Sequence, residues 1–285
     1  MAAVTPTYPA LAVAEPVRPF VDMPGAPGRV LVSFERSCYL ETAERQLIAV
    51  LAESLGRGAF ALTVGGSPSF ADLRPDDAAS VEGQTLHLGP MRIDLRSAVP
   101  WDPTLPPLHG PAGEGLRALA DHLRAHAPAE GLARLHFEDA ETPLLAQGRR
   151  ALGRLREGLA QADATAVTQG AAQLAGLGPG LTPSGDDVLA GILLDLRVWP
   201  AAAGPLGPNV VSTLLVGTAA PRTGRISRAY LWAARQGHAA DAWHDLIRGL
   251  PANVDRVIAA ATRILQTGET SGADMLAGFL FAWMR

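Results

Sequence analysis

Apolar and polar positions change their rhythm along the chain. Between residues 29 and 102 the apolar stretches are short and rich in β-branched and aromatic residues, as in RVLVSF (29–34) and FALTVGG (60–66). That composition suits strands. TLHLGPMRIDL (85–95) reads as a hairpin turning at Gly89-Pro90. ERQLIAVLAESL (44–55) fits a strand pair or a helix equally well. Further on, apolar positions recur at helical spacing, as in EGLRALADHLRAHA (114–127), with Gly, Pro or Asn at most joints. The pattern predicts an α+β chain. A loose, Ala- and Pro-rich N-terminal segment (1–28) precedes a β-rich N-terminal domain (29–104). A Pro-rich linker (105–113) then leads into an all-α C-terminal domain of about eight helices (114–285).

One stretch of the helical half stands apart. GLGPGLTPSGDDVLAG (176–191) packs glycines and prolines in front of two aspartates that open a helical pattern. Part of it returns later: SGDDVLAGILL (184–194) is echoed by SGADMLAGFLF (271–281). Ser184 matches Ser271, Gly185 matches Gly272 and Asp187 matches Asp274, whereas Asp186 faces Ala273. Each copy reads as a helix start, with Ser184 and Ser271 as N-caps and an aspartate in the first turn, where the helix dipole favours it. The first copy spends more glycine than a cap needs. Gly178, Gly180 and their neighbours expose backbone N–H groups and admit a ligand closely. If the two matching helices cross, their N-termini meet and form an anion site. The extra acid, Asp186 beside Asp187, suits a proton transfer, hydrogen bonds to an amide, or a divalent metal. No cofactor is firmly implied.

Composition narrows the chemistry. The chain of 285 residues carries a net charge of −4, without the basic footprint of a nucleic-acid binder. All 24 basic residues are arginine. The absence of lysine excludes a Schiff-base site and a P-loop. The single cysteine, Cys38, excludes a disulfide framework, and its strand-like surroundings suit a buried inert thiol. His122 and His126 have metal-ligand spacing on a helix, but no acidic partner follows. No H-E-x-x-H or G-x-S-x-G occurs. No run is long enough to span a membrane and no signal peptide is evident, so a soluble, cytoplasmic chain is expected.

PRTGRISRAYLWAARQG (221–237) spaces Arg222, Arg225 and Arg228 by three, with Thr223 and Ser227 between them. On a helix start these arginines share one face and can hold phosphate or carboxylate. Together, the Gly-rich run, TSGADMLAG (270–278) and RTGRISRAYLWAARQG resemble a bacterial family once known only as a domain of unknown function: the AllH-type subunit of oxamate carbamoyltransferase. The resemblance covers residues 29–285, and the order of parts agrees. It implies carbamoyl transfer between small anions, linking oxalurate and phosphate to oxamate and carbamoyl phosphate, in a complex with partner subunits. Asp186 and Asp187 are the candidate catalytic acids. The candidate substrate-binding residues are Gly178, Gly180, Thr182, Ser184, Gly185, Arg222, Thr223, Arg225, Ser227, Ser271, Gly272 and Asp274. The alternative is a non-catalytic metabolite-binding or assembly subunit, with the chemistry on another chain.

Overall fold

A computed structural model describes residues 6–137 and 142–284 of the chain. The chain divides into two compact units, Met1–Thr104 and Leu105–Arg285. The first is a β-barrel and the second is helical.

The barrel is built from β1 (Thr7–Ala14), β2 (Pro27–Ser33), β3 (Ser37–Thr42), β4 (Leu47–Ala52), β5 (Ala61–Val64), β6 (Ala78–Glu82), β7 (Thr85–Leu88) and β8 (Met91–Asp94). Their order is β5-β4-β3-β2-β6-β7-β8-β1, and an antiparallel β1–β5 pairing closes the ring. The short β9 (Val99–Trp101) extends β1 in parallel past the end of β8. Closure leaves few open edges. The expected hairpin is present, with Leu88 paired to Met91 across Gly89-Pro90. ERQLIAVLAESL resolves into β4 followed by a 3-10 turn at Glu53–Leu55.

The structure departs from the expected loose N-terminus. Residues 7–14 form β1, the strand that closes the barrel, and Arg18–Val21 form the short helix α1. Ala10, Ala12, Val13 and Ala14 are buried. Residues 1–5 lie outside the described residues. Cys38 is fully buried in β3, and burial pushes its thiol far above the ordinary cysteine range, which keeps it protonated and inert.

The second unit holds nine α-helices among the described residues: α2 (Gly113–His126), α3 (Pro143–Gln161), α4 (Ala164–Leu174), α5 (Ser184–Val198), α6 (Pro208–Ala219), α7 (Arg225–Gln236), α8 (Asp241–Gly249), α9 (Val254–Leu265) and α10 (Ser271–Phe279). Helix α5 is the centre, with every residue from Ser184 to Leu196 buried. From Val188 to Leu194 that follows from a sequence apolar all round, whereas Asp186, Asp187 and Asp195 are buried in spite of their charge. It crosses α10 with backbone touching backbone. A Cβ on Gly191 would stand 2.0 Å from the Met275 carbonyl oxygen, and one on Gly278 would stand 2.1 Å from that of Val188. Val188 and Met275 are equivalent in the echo, as are Gly191 and Gly278, so the crossing is reciprocal about a local two-fold.

The likeness extends upstream of the echo. Gly158 of α3 approaches the backbone of Val167 in α4, as Gly249 of α8 approaches that of Val257 in α9. Asp163 caps α4 and Asn253 caps α9. The arrangement α3–α4–loop–α5 thus recurs as α8–α9–loop–α10, with α6 and α7 between the copies.

Candidate functional site

The reciprocal crossing brings the N-termini of α5 and α10 together. Thr182, just before α5, shares a 2.9 Å hydrogen bond with Ser271, the first residue of α10. Ser271 engages Asp187, and Ser184 engages Asp274, the equivalent pair. The serines therefore do not act as the expected N-caps. Pro183 and Thr270 hold those positions, and each serine, as first helical residue, turns toward the acid of the other helix.

Two further chain starts join this point. Leu132, ahead of the 3-10 turn Ala133–His136, donates its N–H to Asp274 Oδ1 at 2.6 Å. Thr223, two residues before α7, donates its hydroxyl to Asp186 Oδ2, while Asp186 Oδ1 accepts the Gly176 N–H at 3.0 Å. Asp186 therefore ties the Gly-rich loop to the arginine-bearing turn. The two loops also touch: a Cβ on Gly176 would lie 3.2 Å from the Arg222 carbonyl oxygen, and one on Gly224 would lie 3.7 Å from that of Leu181.

Asp186, Asp187 and Asp274 are 1%, 3% and 0% exposed. Burial is the main reason each carboxyl is harder to ionise than usual. Asp274 is raised to about 6. Asp187 lies well above the usual carboxylate range, lifted further by the charges of Asp274 and Asp186 and opposed by the Ser271 and Thr182 hydroxyls. Asp186 rises less, because Thr223, Gly176 and Ser227 favour its ionised form. Positive helix ends add support for negative charge here. Among the described residues, Asp187 Oδ2 and Asp274 Oδ2 are buried and meet no hydrogen-bond partner. Among the described residues, no group of three His, Cys, Asp or Glu side chains is arranged to hold a metal ion. His122 bonds to Thr262 at 3.1 Å, and His126 to the His122 carbonyl at 2.9 Å.

The other candidates divide between surface and interior. Gly178 and Gly180 adopt φ of 106° and 97°, which only glycine takes without strain. Pro179, Gly180 and Leu181 face solvent. The N–H groups of Gly180, Leu181 and Thr182 meet no backbone acceptor among the described residues. The expected cradle over 180–185 is narrower at its far end, because the Gly185 N–H is taken by the Leu177 carbonyl at 2.8 Å. Gly272 is committed in the same way to the Thr267 carbonyl at 3.0 Å.

Arg222, Arg225 and Arg228 are exposed, but they do not share one helix. Arg222 ends the 3-10 turn Ala220–Arg222 and folds back to the Thr218 carbonyl at 2.6 Å, whereas Arg225 and Arg228 belong to α7. Thr223 and Ser227 point the opposite way, toward Asp186. Sequence reasoning missed the segment at Gly131 and Leu132, where a Cβ on Gly131 would press within 2.8 Å of Asp274 Oδ2. Nothing in PAEGLARL marks it.

The site is thus a set of converging helix starts, with carboxylates beneath and a donor-rich loop above. The family model for the oxamate carbamoyltransferase subunit AllH matches residues 174–283. That span holds both loops, the arginine turn and all three aspartates, and it omits the barrel and the Gly131–Leu132 segment. No curated protein and no solved structure matches the chain. Among the described residues, no single helix is long and apolar enough to cross a membrane.

Proposed function

We propose that the chain is a subunit of a carbamoyl-transferring enzyme acting on small anionic amide or ureido substrates, oxamate and oxalurate, with phosphate and carbamoyl phosphate as co-reactants. The observation that carries this reading is the family match, which falls on the segment where the donor-rich loop and the arginine turn adjoin.

The chemistry asks for such a surface. From oxalurate, a phosphate oxygen bonds to the terminal carbamoyl carbon and the bond from that carbon to the inner nitrogen breaks. The nitrogen takes a proton, giving carbamoyl phosphate and oxamate. Both reactants are anions, and the tetrahedral intermediate carries an oxyanion. The N–H groups of Gly180, Leu181 and Thr182, with Arg222 and Arg225, supply fixed donors to that charge. Asp187, whose burial holds its carboxyl well above the usual carboxylate range, suits the proton delivery to nitrogen. Asp186 holds the loop in place through Gly176 and Thr223.

A second reading rests on the depth of the acids. Asp186 and Asp187 are nearly inaccessible, which favours a subunit that binds the anion while a partner chain performs the chemistry. Carbamoyl phosphate formation by the purified chain alone, without partners, separates the two. For the site itself, a ligand that binds the folded state raises the melting temperature by mass action. Phosphate, oxamate, oxalurate and carbamoyl phosphate are compared on wild type and on Arg225→Ala. A rise with an oxamate-like ligand, lost in the variant, supports the reading. No rise with any of them overturns it.

A further inference from the structure

Between Asp195 and Asp241 the chain contains no acidic residue, while Arg197, Arg222, Arg225, Arg228 and Arg235 fall in that interval. In a chain with 28 acidic residues and a net charge of −4, this is a sharp local reversal. It maps onto α6, α7 and the turn between them. Helix α6 (PNVVSTLLVGTA) has no charged residue at all, yet Val210, Thr213 and Gly217 on it face solvent. Val210 is 48% exposed. A surface helix ordinarily turns charged residues outward. Gly217 has nothing within 4 Å of its Cβ position, so the outer side of α6 is open to close approach.

On α7 the outward stripe is Arg225, Arg228, Trp232 and, less exposed, Arg235. Trp232 is 43% exposed, and the Arg235 guanidinium lies over its ring at 5.1 Å. Arg235 also donates to Thr213 Oγ1 at 3.1 Å, which joins the α7 stripe to the α6 face. The result is one continuous surface: a tryptophan between arginines beside an uncharged helix. Trp and Arg are the residue types that dominate binding energy at protein interfaces.

We propose that the outer face of α6 and α7 docks a second, different protein chain whose surface is acidic around an apolar pocket for Trp232. Charge complementarity names the partner's chemistry. It also argues against a second copy of this chain, since a two-fold contact sets the same patch against itself and would oppose arginine to arginine. A nucleic acid would use the arginines but leave the uncharged α6 half without a role. The proposal rests on the subunit reading above, and its test uses a different residue and readout.

The purified chain is titrated with the partner subunits of an oxamate carbamoyltransferase, in parallel as wild type, Trp232→Ala, Val210→Asp and Arg235→Glu, with Phe34→Ala on the barrel as control. Each α6/α7 variant weakens the complex about tenfold or more, Phe34→Ala does not, and added salt weakens the wild-type complex. All three variants keep the thermal response to oxamate, because none lies in the proposed anion site. The proposal is overturned if wild type binds no partner subunit, or if the variants bind as wild type does. A wild-type homodimer lost in Trp232→Ala, or capture of a mixed-sequence oligonucleotide by this face, also overturns it. Loss of the oxamate response in wild type while docking still depends on Trp232 would sink the anion site and leave the docking face standing.

Discussion

Replacing Asp274 by Asn tests whether the acids at the helix crossing are held against their preference to ionise. The folded state holds the Asp274 carboxyl at about 6, against an ordinary value of about 3.9. A folded value above the unfolded one means that the folded state keeps a proton the unfolded chain has lost. Stability from this group is therefore full at low pH and drains away as pH rises from about 4 to about 6. A rise of that size corresponds to about 3 kcal/mol lost across the window. Asp187, raised well above its ordinary value, extends the same downward trend to higher pH. In Asp274→Asn, the new side-chain amide oxygen still accepts the Leu132 N–H, and no charge forms beside Asp187. Urea unfolding followed by tryptophan fluorescence reads mainly the helical unit, because Trp199, Trp232, Trp243 and Trp283 lie there and only Trp101 lies in the first unit. The decisive quantity is the difference between wild type and variant from about pH 4 to about pH 8, which cancels every titrating group not coupled to Asp274. The variant should gain on wild type by up to about 3 kcal/mol across that range, mostly below about pH 6.5. A difference that stays flat with pH would refute the reasoning.

Gly191→Ala and Gly278→Ala each drive a methyl group into a carbonyl 2.0 or 2.1 Å from its place. Each should cost about 3 kcal/mol or more by thermal melting, with the double variant less than additive because both sit at one crossing. Thr223→Val removes the hydroxyl from Asp186. It should cost about 1–3 kcal/mol and weaken oxamate binding in titration calorimetry, since the Gly-rich loop loses its tie to the arginine turn. Asp195 is buried, its carboxyl well above the ordinary value, and its Oδ2 meets no hydrogen-bond partner among the described residues. Asp195→Asn should stabilise the chain more at about pH 8 than at about pH 5, as read by urea midpoints.

Local signals carried most of the element assignments. Short runs rich in β-branched and aromatic residues marked β2, the Gly89-Pro90 turn marked the β7–β8 hairpin, and helical periodicity marked the second unit. The N-terminal strand escaped because Pro6, Pro9 and Pro16 read as breakers, while what orders ALAVA is pairing with Ala61–Val64, some fifty residues away. The echo at 184 and 271 exposed the helix crossing because Gly191 and Gly278 must both be small there. The upstream part of the repeat stayed hidden. Gly158 and Gly249, and Val167 and Val257, survive as matches, but a one-residue change at the caps and a shorter second loop break the register. At the candidate site, the Gly-rich run, the echo and the arginine spacing pointed to loop, arginine turn and second helix start as one group. The inward turn of Thr223 and Ser227, the crossing-over of the serines and the part of Leu132 were not, because each depends on how helices distant in sequence meet.

The most direct measurement is a crystal structure of the chain with oxamate and phosphate. The account predicts an anion bound by the N–H groups of Gly180, Leu181 and Thr182, with the Arg222 and Arg225 guanidiniums turned toward it. Ligand density elsewhere, with the loop unchanged from its free form, would contradict the account.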